Sequence, residues 1–69
     1  MDLIKKVKAL NNYLQVKNFN KVLEEGKKIL RKIPGNDYVL NLIGMAYQGK
    51  SQYLNSIKFF DESIKQNPN

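Results

Sequence analysis

Apolar side chains recur along the chain with a helical period. Leu3, Val7, Leu10 and Leu14 stand at i, i+4, i+7 and i+11, one face of an amphipathic helix, and Ile4 and Tyr13 widen the stripe. Lys5, Lys6, Lys8, Asn11 and Asn12 fill the other side. The spacing predicts a first helix over about residues 2–15, with Asp2 in its first turn, where negative charge suits the helix dipole. Lys17-Asn18 interrupts the pattern, and Asn18 is a suitable N-cap. Val22, Gly26, Ile29 and Ile33, flanked by Leu23 and Leu30, predict a second helix over about 19–32. Glu24 and Lys28 form an i,i+4 pair in the favoured order. Lys27, Lys28, Arg31 and Lys32 crowd its C-terminal turns, where positive charge suits the dipole. Pro34-Gly35 then stops the helix.

Asn36 is placed to cap a third helix over about 37–49, whose apolar face is Val39, Leu40, Ile43, Ala46 and Tyr47. Gly44 inside it costs about 1 kcal/mol relative to alanine, which suggests close approach of another helix. Ser51 is a plausible N-cap for a fourth helix over about 52–66, with the stripe Tyr53, Ile57, Phe60 and Ile64. Asn67-Pro68 ends it.

The pattern repeats. A shift of 34 residues places Tyr13 on Tyr47, Phe19 on Tyr53, Leu23 on Ile57, Leu30 on Ile64 and Pro34 on Pro68. Other positions exchange volume: Gly26 falls on Phe60, and Val22 and Ile29 fall on Ser56 and Ser63. Where one copy is large the other is small, so each can fill its interior in its own way. The expected fold is all-α: two antiparallel helix-turn-helix hairpins, residues 1–36 and 37–69, stacked as a short α-solenoid.

In period and motif the chain resembles the tetratricopeptide repeat family. In the second copy Leu40 takes the bulky position, Ile43-Gly44 the leucine-glycine pair, Tyr47 the tyrosine and Tyr53 the aromatic after the turn. Ser56 and Ser63 take the small positions, Phe60 the large one and Pro68 the proline. The first copy is a degenerate version, carried by Ala9-Leu10, Tyr13, Phe19, Val22, Gly26, Ile29 and Pro34. One departure stands out. The family usually has a left-handed glycine two residues before the post-turn aromatic, and this chain has Lys17 and Ser51 there. A β-carbon in that conformation costs about 1 kcal/mol or more. Either the turns are rearranged or a helix pair runs on through residues 49–52. The caps at Asn18 and Ser51 favour the rearranged turn.

The resemblance implies a non-enzymatic interaction or scaffold module. Repeats of this kind bury their apolar faces on one another, and about three are usually needed for stability. With two repeats, the last helix is expected to leave Leu54, Ile57, Phe60 and Ile64 incompletely covered, a face for self-association into a homodimer or larger assembly. The resemblance also implies a peptide groove lined by the first helix of each repeat. By position it holds Asn11, Gln15, Tyr38, Asn41, Met45 and Gln48, with Ile4, Val7 and Leu14 alongside. Side-chain amides there offer a donor and an acceptor to a peptide backbone. Val7 stands where a carboxylate-clamping member has lysine, which argues against a carboxylate clamp.

Composition narrows the chemistry. The chain has no cysteine or histidine, which removes disulfides, thiol nucleophiles and the usual zinc sites. The carboxylates are Asp2, Glu24, Glu25, Asp37, Asp61 and Glu62, and adjacent pairs on a helix point apart. The scattered glycines build no phosphate-binding loop. We therefore expect no catalytic residue, metal or cofactor. No apolar run is long enough to span a bilayer and no secretory signal is evident, so the expected place is the cytoplasm.

The net charge of +6 lies in residues 1–36, which carry nine basic and three acidic side chains, against three of each in 37–69. A basic half fits nucleic acid as an alternative partner, through Lys5, Lys8, Lys27, Lys28, Arg31 and Lys32. The scatter of these lysines over several faces and the lack of an aromatic platform argue against it, and leave a protein or peptide as the expected partner. A second alternative is an N-terminal repeat fragment of a larger multidomain enzyme.

Overall fold

A computed structural model describes residues 3–66. It contains four helices, α1 (Leu3–Gln15), α2 (Phe19–Lys32), α3 (Asp37–Gly49) and α4 (Tyr53–Gln66), and no strand among the described residues. The expected helix bounds agree to within a residue where they can be compared. Asp2 and Asn67-Pro68, expected at the two ends, lie outside the described residues.

The third helix is the centre of the packing. It contacts each of the other three, and Val39, Leu40, Leu42, Ile43, Gly44, Ala46 and Tyr47 are all buried. The core continues into Leu10 of α1 and Ile29 of α2, with Leu3, Val7, Leu14, Leu23, Leu30 and Phe59 packed around it. Helices come this close because glycine removes a side chain at the contacts. A β-carbon on Gly26 would lie 2.9 Å from Cγ1 of Ile43, and one on Gly44 would lie 2.7 Å from Cε1 of Phe60. Gly49 does the same for the ring of Phe19. The expectation that Gly44 marks a close helix approach is met, with Phe60 as the approaching group.

The volume exchange between the hairpins has a structural basis. In the first, Leu10 of α1 is large and Gly26 of α2 is small. Thirty-four residues on, Gly44 of α3 is small and Phe60 of α4 is large. The same space is filled from opposite helices. Ser56 and Ser63 let α4 sit close to α3, and the Ser63 hydroxyl donates to the carbonyl of Asp37 at 3.0 Å. The packed side of α4 is Ser56, Phe59, Phe60 and Ser63, and the ring of Phe59 stacks on Tyr47 at 5.5 Å.

The turns correct one expectation. They are neither rearranged nor helical: Lys17 and Ser51 themselves take the left-handed conformation, at φ 62° and 61°. After α1 the Asn18 N–H donates to Tyr13 O at 2.8 Å and the Lys17 N–H to Leu14 O at 3.0 Å. After α3 the Gln52 N–H donates to Tyr47 O and the Ser51 N–H to Gln48 O, both at 2.9 Å. These are two copies of the Schellman closure, which satisfies the last helix carbonyls and outweighs the strain at one β-carbon. Ser51 is therefore not the N-cap of α4. The carbonyl of Gln52 accepts the first helical bond, from the Ser56 N–H at 3.0 Å. Asn18 stands at the start of α2 but makes no side-chain cap bond. Asn36 caps α3 as expected, its side chain accepting from the Val39 N–H at 3.0 Å.

Two kinds of glycine substitution should act in opposite directions. Lys17→Gly or Ser51→Gly relieves about 1–2 kcal/mol of left-handed strain, less about 0.4–1 kcal/mol of added chain entropy, for a net gain of about 0.5–1 kcal/mol each. Gly26→Ala gains about 1 kcal/mol of helix propensity but overpacks the fully buried Ile43 by about 1–3 kcal/mol, a net loss of about 1 kcal/mol. Urea unfolding of the three variants measures both signs.

Candidate functional site

Two surfaces hold the residues singled out in the sequence. The first lies on α1 and α3. Asn11 donates through Nδ2 to the Tyr38 hydroxyl at 3.1 Å and lies 3.4 Å from the carbonyl of Val7. These two groove residues are thus brought together and already use part of each other's bonding capacity. Asn41 Nδ2 sits 3.9 Å from Met45 Sδ, one turn along α3. Gln15 and Gln48 are exposed at the ends of their helices, and Tyr38, Asn41 and Met45 are exposed between them. Ile4 is exposed, whereas Val7 and Leu14 are half-buried against the core.

The second surface is the outer side of α4. Leu54 is 86% exposed, Ile57 54% and Ile64 60%, and Tyr53 extends the stripe at 59%. Phe60 is the exception: it is half-buried over Gly44 and offers only an edge. Asp61 is exposed within the stripe, one turn on from Ile57. Each fully covered side chain of this size is worth about 1.5–3 kcal/mol, so the face leaves a sizeable contribution unused.

The 34-residue shift says what this face is built like. The counterparts of Tyr53, Leu54, Phe60 and Asp61 are Phe19, Asn20, Gly26 and Lys27, of which Phe19, Gly26 and Lys27 meet α3 and Asn20 meets the residue just after it. Phe19 lies on Gly49, Asn20 accepts a bond from the Lys50 ammonium, and Gly26 receives Ile43. Lys27 donates to the Tyr47 hydroxyl at 2.8 Å. Its ammonium is 5.4 Å from the Tyr47 ring centroid, beyond the hydroxyl rather than over the ring, so the hydrogen bond is the interaction. Ile57 and Ile64 match Leu23 and Leu30, which pack on the core. The outer side of α4 therefore repeats the side of α2 that holds α3.

The opposite end differs. Between α1 and α2 lies a cavity of about 80 Å³ lined by Lys6, Ala9, Tyr13, Glu25, Lys28 and Ile29. The counterparts of Ala9 and Glu25 are Ile43 and Phe59, and Phe59 fills the equivalent space by stacking on Tyr47. The mouth of the cavity carries an ion pair, Lys28 with Glu25 at 3.0 Å, and Glu24 stands further off at 4.0 Å. The expected i,i+4 pair with Glu24 is thus present at 4.0 Å, and Glu25 at i−3 is the nearer partner of Lys28. The hydrogen bond from Lys28 holds the Glu25 carboxyl below its ordinary value, and the same bond raises Lys28.

Among the described residues no group of three or more acidic side chains is placed to hold a metal ion, and no buried side-chain polar atom lacks a partner. No described helix is long and apolar enough to cross a membrane. Sequence reasoning missed the Tyr47–Phe59 stack, the Lys27–Tyr47 bond and the place of Asp61. The last two were within reach of the 34-residue shift, which sets Lys27 on Asp61.

No family model matches the chain, and neither a curated protein nor a solved structure gives a significant match.

The Lys28–Glu25 pair fixes a pH dependence. The lowered Glu25 contributes stability above its unfolded value and loses it as pH falls through its folded value; the raised Lys28 contributes below its unfolded value and loses it as pH rises. The pair therefore acts across the neutral range. The melting difference between the wild type and Glu25→Gln should stay constant near neutrality and shrink below about pH 4, followed by circular dichroism.

Proposed function

We propose that the chain is a non-enzymatic protein-interaction module of tetratricopeptide type, two repeats over residues 1–36 and 37–69, which docks a helix of a protein partner on the outer side of α4. The observation that carries this is the exposed stripe of Tyr53, Leu54, Ile57 and Ile64, standing at the counterparts of residues by which α2 holds α3. A face already used once in the molecule as a helix seat is repeated without an occupant from the described residues.

The α1–α3 side supports the same reading. Asn11, Gln15, Tyr38, Asn41, Met45 and Gln48 supply amide, hydroxyl and thioether groups along two adjacent helices, suited to an extended peptide. The Asn11–Tyr38 bond holds two of them in place in advance. The nucleic-acid alternative loses two of its lysines, since Lys27 is engaged with Tyr47 and Lys28 with Glu25. Of the carboxylates, Glu24, Glu25 and Glu62 lie in helix-surface ion pairs with Lys28 and Lys65.

Sedimentation velocity tests the reading. The wild type should associate as its concentration rises to about 100 μM, the range a small apolar interface reaches. Leu54→Lys and Ile57→Lys should stay monomeric with unchanged helicity, because neither side chain belongs to the core. A wild type that remains monomeric at that concentration overturns self-association through the α4 seat.

A further inference from the structure

The helix that covers α4 can be argued from the chain's own charges, taking the α4 seat above as its premise. We propose that the occupant is α4 of a second copy, antiparallel, with Leu54 opposite Ile64 of that copy and Lys58 beside its Asp61.

The chain's other helices fail as occupants. A seat like that of α2 is filled by a helix like α3, and the counterpart of α3 is α1. Where α3 buries Val39, Leu42 and Ala46, α1 carries Lys5, Lys8 and Asn12. Docking α1 on Leu54, Ile57 and Ile64 would strip water from two ammonium groups against an apolar surface. The end bearing α1 thus acts as a polar cap. The large apolar groups exposed elsewhere, Ile4, Val16, Tyr38 and Met45, are spread over α1, α3 and a turn and form no stripe.

The fourth helix fits itself. Leu54, Ile57, Asp61 and Ile64 stand at i, i+3, i+7 and i+10, the alternating spacing of a two-helix seam with Asp61 at one inner position. In a parallel pair Asp61 would face Asp61, two like charges at the seam. In an antiparallel pair Leu54 faces Ile64, and Ile57, one step inward, faces Asp61. Lys58 adjoins Ile57, so its ammonium reaches that carboxylate. The two-fold axis makes the contact twice. A single polar residue at such a position fixes register and orientation at some cost in stability, and an isologous pair closes without leaving a second open seat. Lys58 and Asp61 are both exposed and form no ion pair among the described residues, which leaves their charges available to the seam.

A charge-exchange cycle tests the register. Asp61→Lys and Lys58→Asp should each weaken self-association by about tenfold or more, and the combined variant should recover most of it. The chain lacks cysteine, so a Leu54→Cys/Ile64→Cys variant adds a covalent readout. Those positions are ten residues apart, about 15 Å along one helix, too far to bridge within a copy. Mild oxidation should give a covalent dimer that survives denaturation and reverts with reductant. An assembling wild type whose charge variants associate unchanged, or whose double-cysteine variant stays uncrosslinked, overturns the register and leaves the α4 seat standing. A monomeric wild type overturns the pairing of two copies itself.

Discussion

How near its neighbours can come to α3 decides the rest of this molecule. A chain of this length buries only about 60% of the surface its unfolded form exposes, so a loosely packed centre would not hold it. Three glycines bring the helices together, each covered by a large side chain from a neighbouring helix: Gly26 by Ile43, Gly44 by Phe60 and Gly49 by Phe19. Two of the contacts join α2 to α3 and one joins α4 to α3. Each removes a β-carbon and gains dispersion contact along a whole side chain. The helix propensity forgone at these positions is about 1 kcal/mol each, less than the burial of an isoleucine or phenylalanine returns.

The same constraint explains how much was legible in the residues. Helix positions were readable because Pro34-Gly35 and the polar interruptions at 17–18 and 49–52 separate strongly periodic stripes. The core of α1, α2 and α3 followed from those stripes. For α4 the stripe of large residues, Tyr53, Ile57, Phe60 and Ile64, points mainly outward, because serines rather than leucines make the close contact with α3. Periodicity reports a face but not which neighbour it meets. The turns were misread for a related reason. The preference for glycine at a left-handed position is local, whereas the two backbone bonds that close each turn are gained only when the whole end of the helix is in place. For the groove, position alone named Asn11 and Tyr38, and their mutual bond needed the three-dimensional arrangement.

The two ends of the molecule carry opposite chemistry. Lysines and the Lys28–Glu25 pair border a small unfilled space at the α1 end, where water solvates the charges without penalty. At the α4 end the counterparts of a buried face are in water. The two-fold pairing proposed for α4 would leave both polar α1 sides outermost.

The two strained turns differ from the connection between them in what favours them. Within each hairpin the connection needs a left-handed Lys17 or Ser51, a strain that the closing backbone bonds must outweigh. Between the hairpins the connection is favoured locally: Pro34 pre-sets its backbone, the Asn36 N–H donates to Ile33 O, and the Asn36 side chain caps α3. The α2–α3 pair also holds two of the three glycine contacts. The connection that its own residues favour thus straddles the boundary that the sequence period draws. The period of the sequence and its locally favoured connection are thus displaced from each other by one helix.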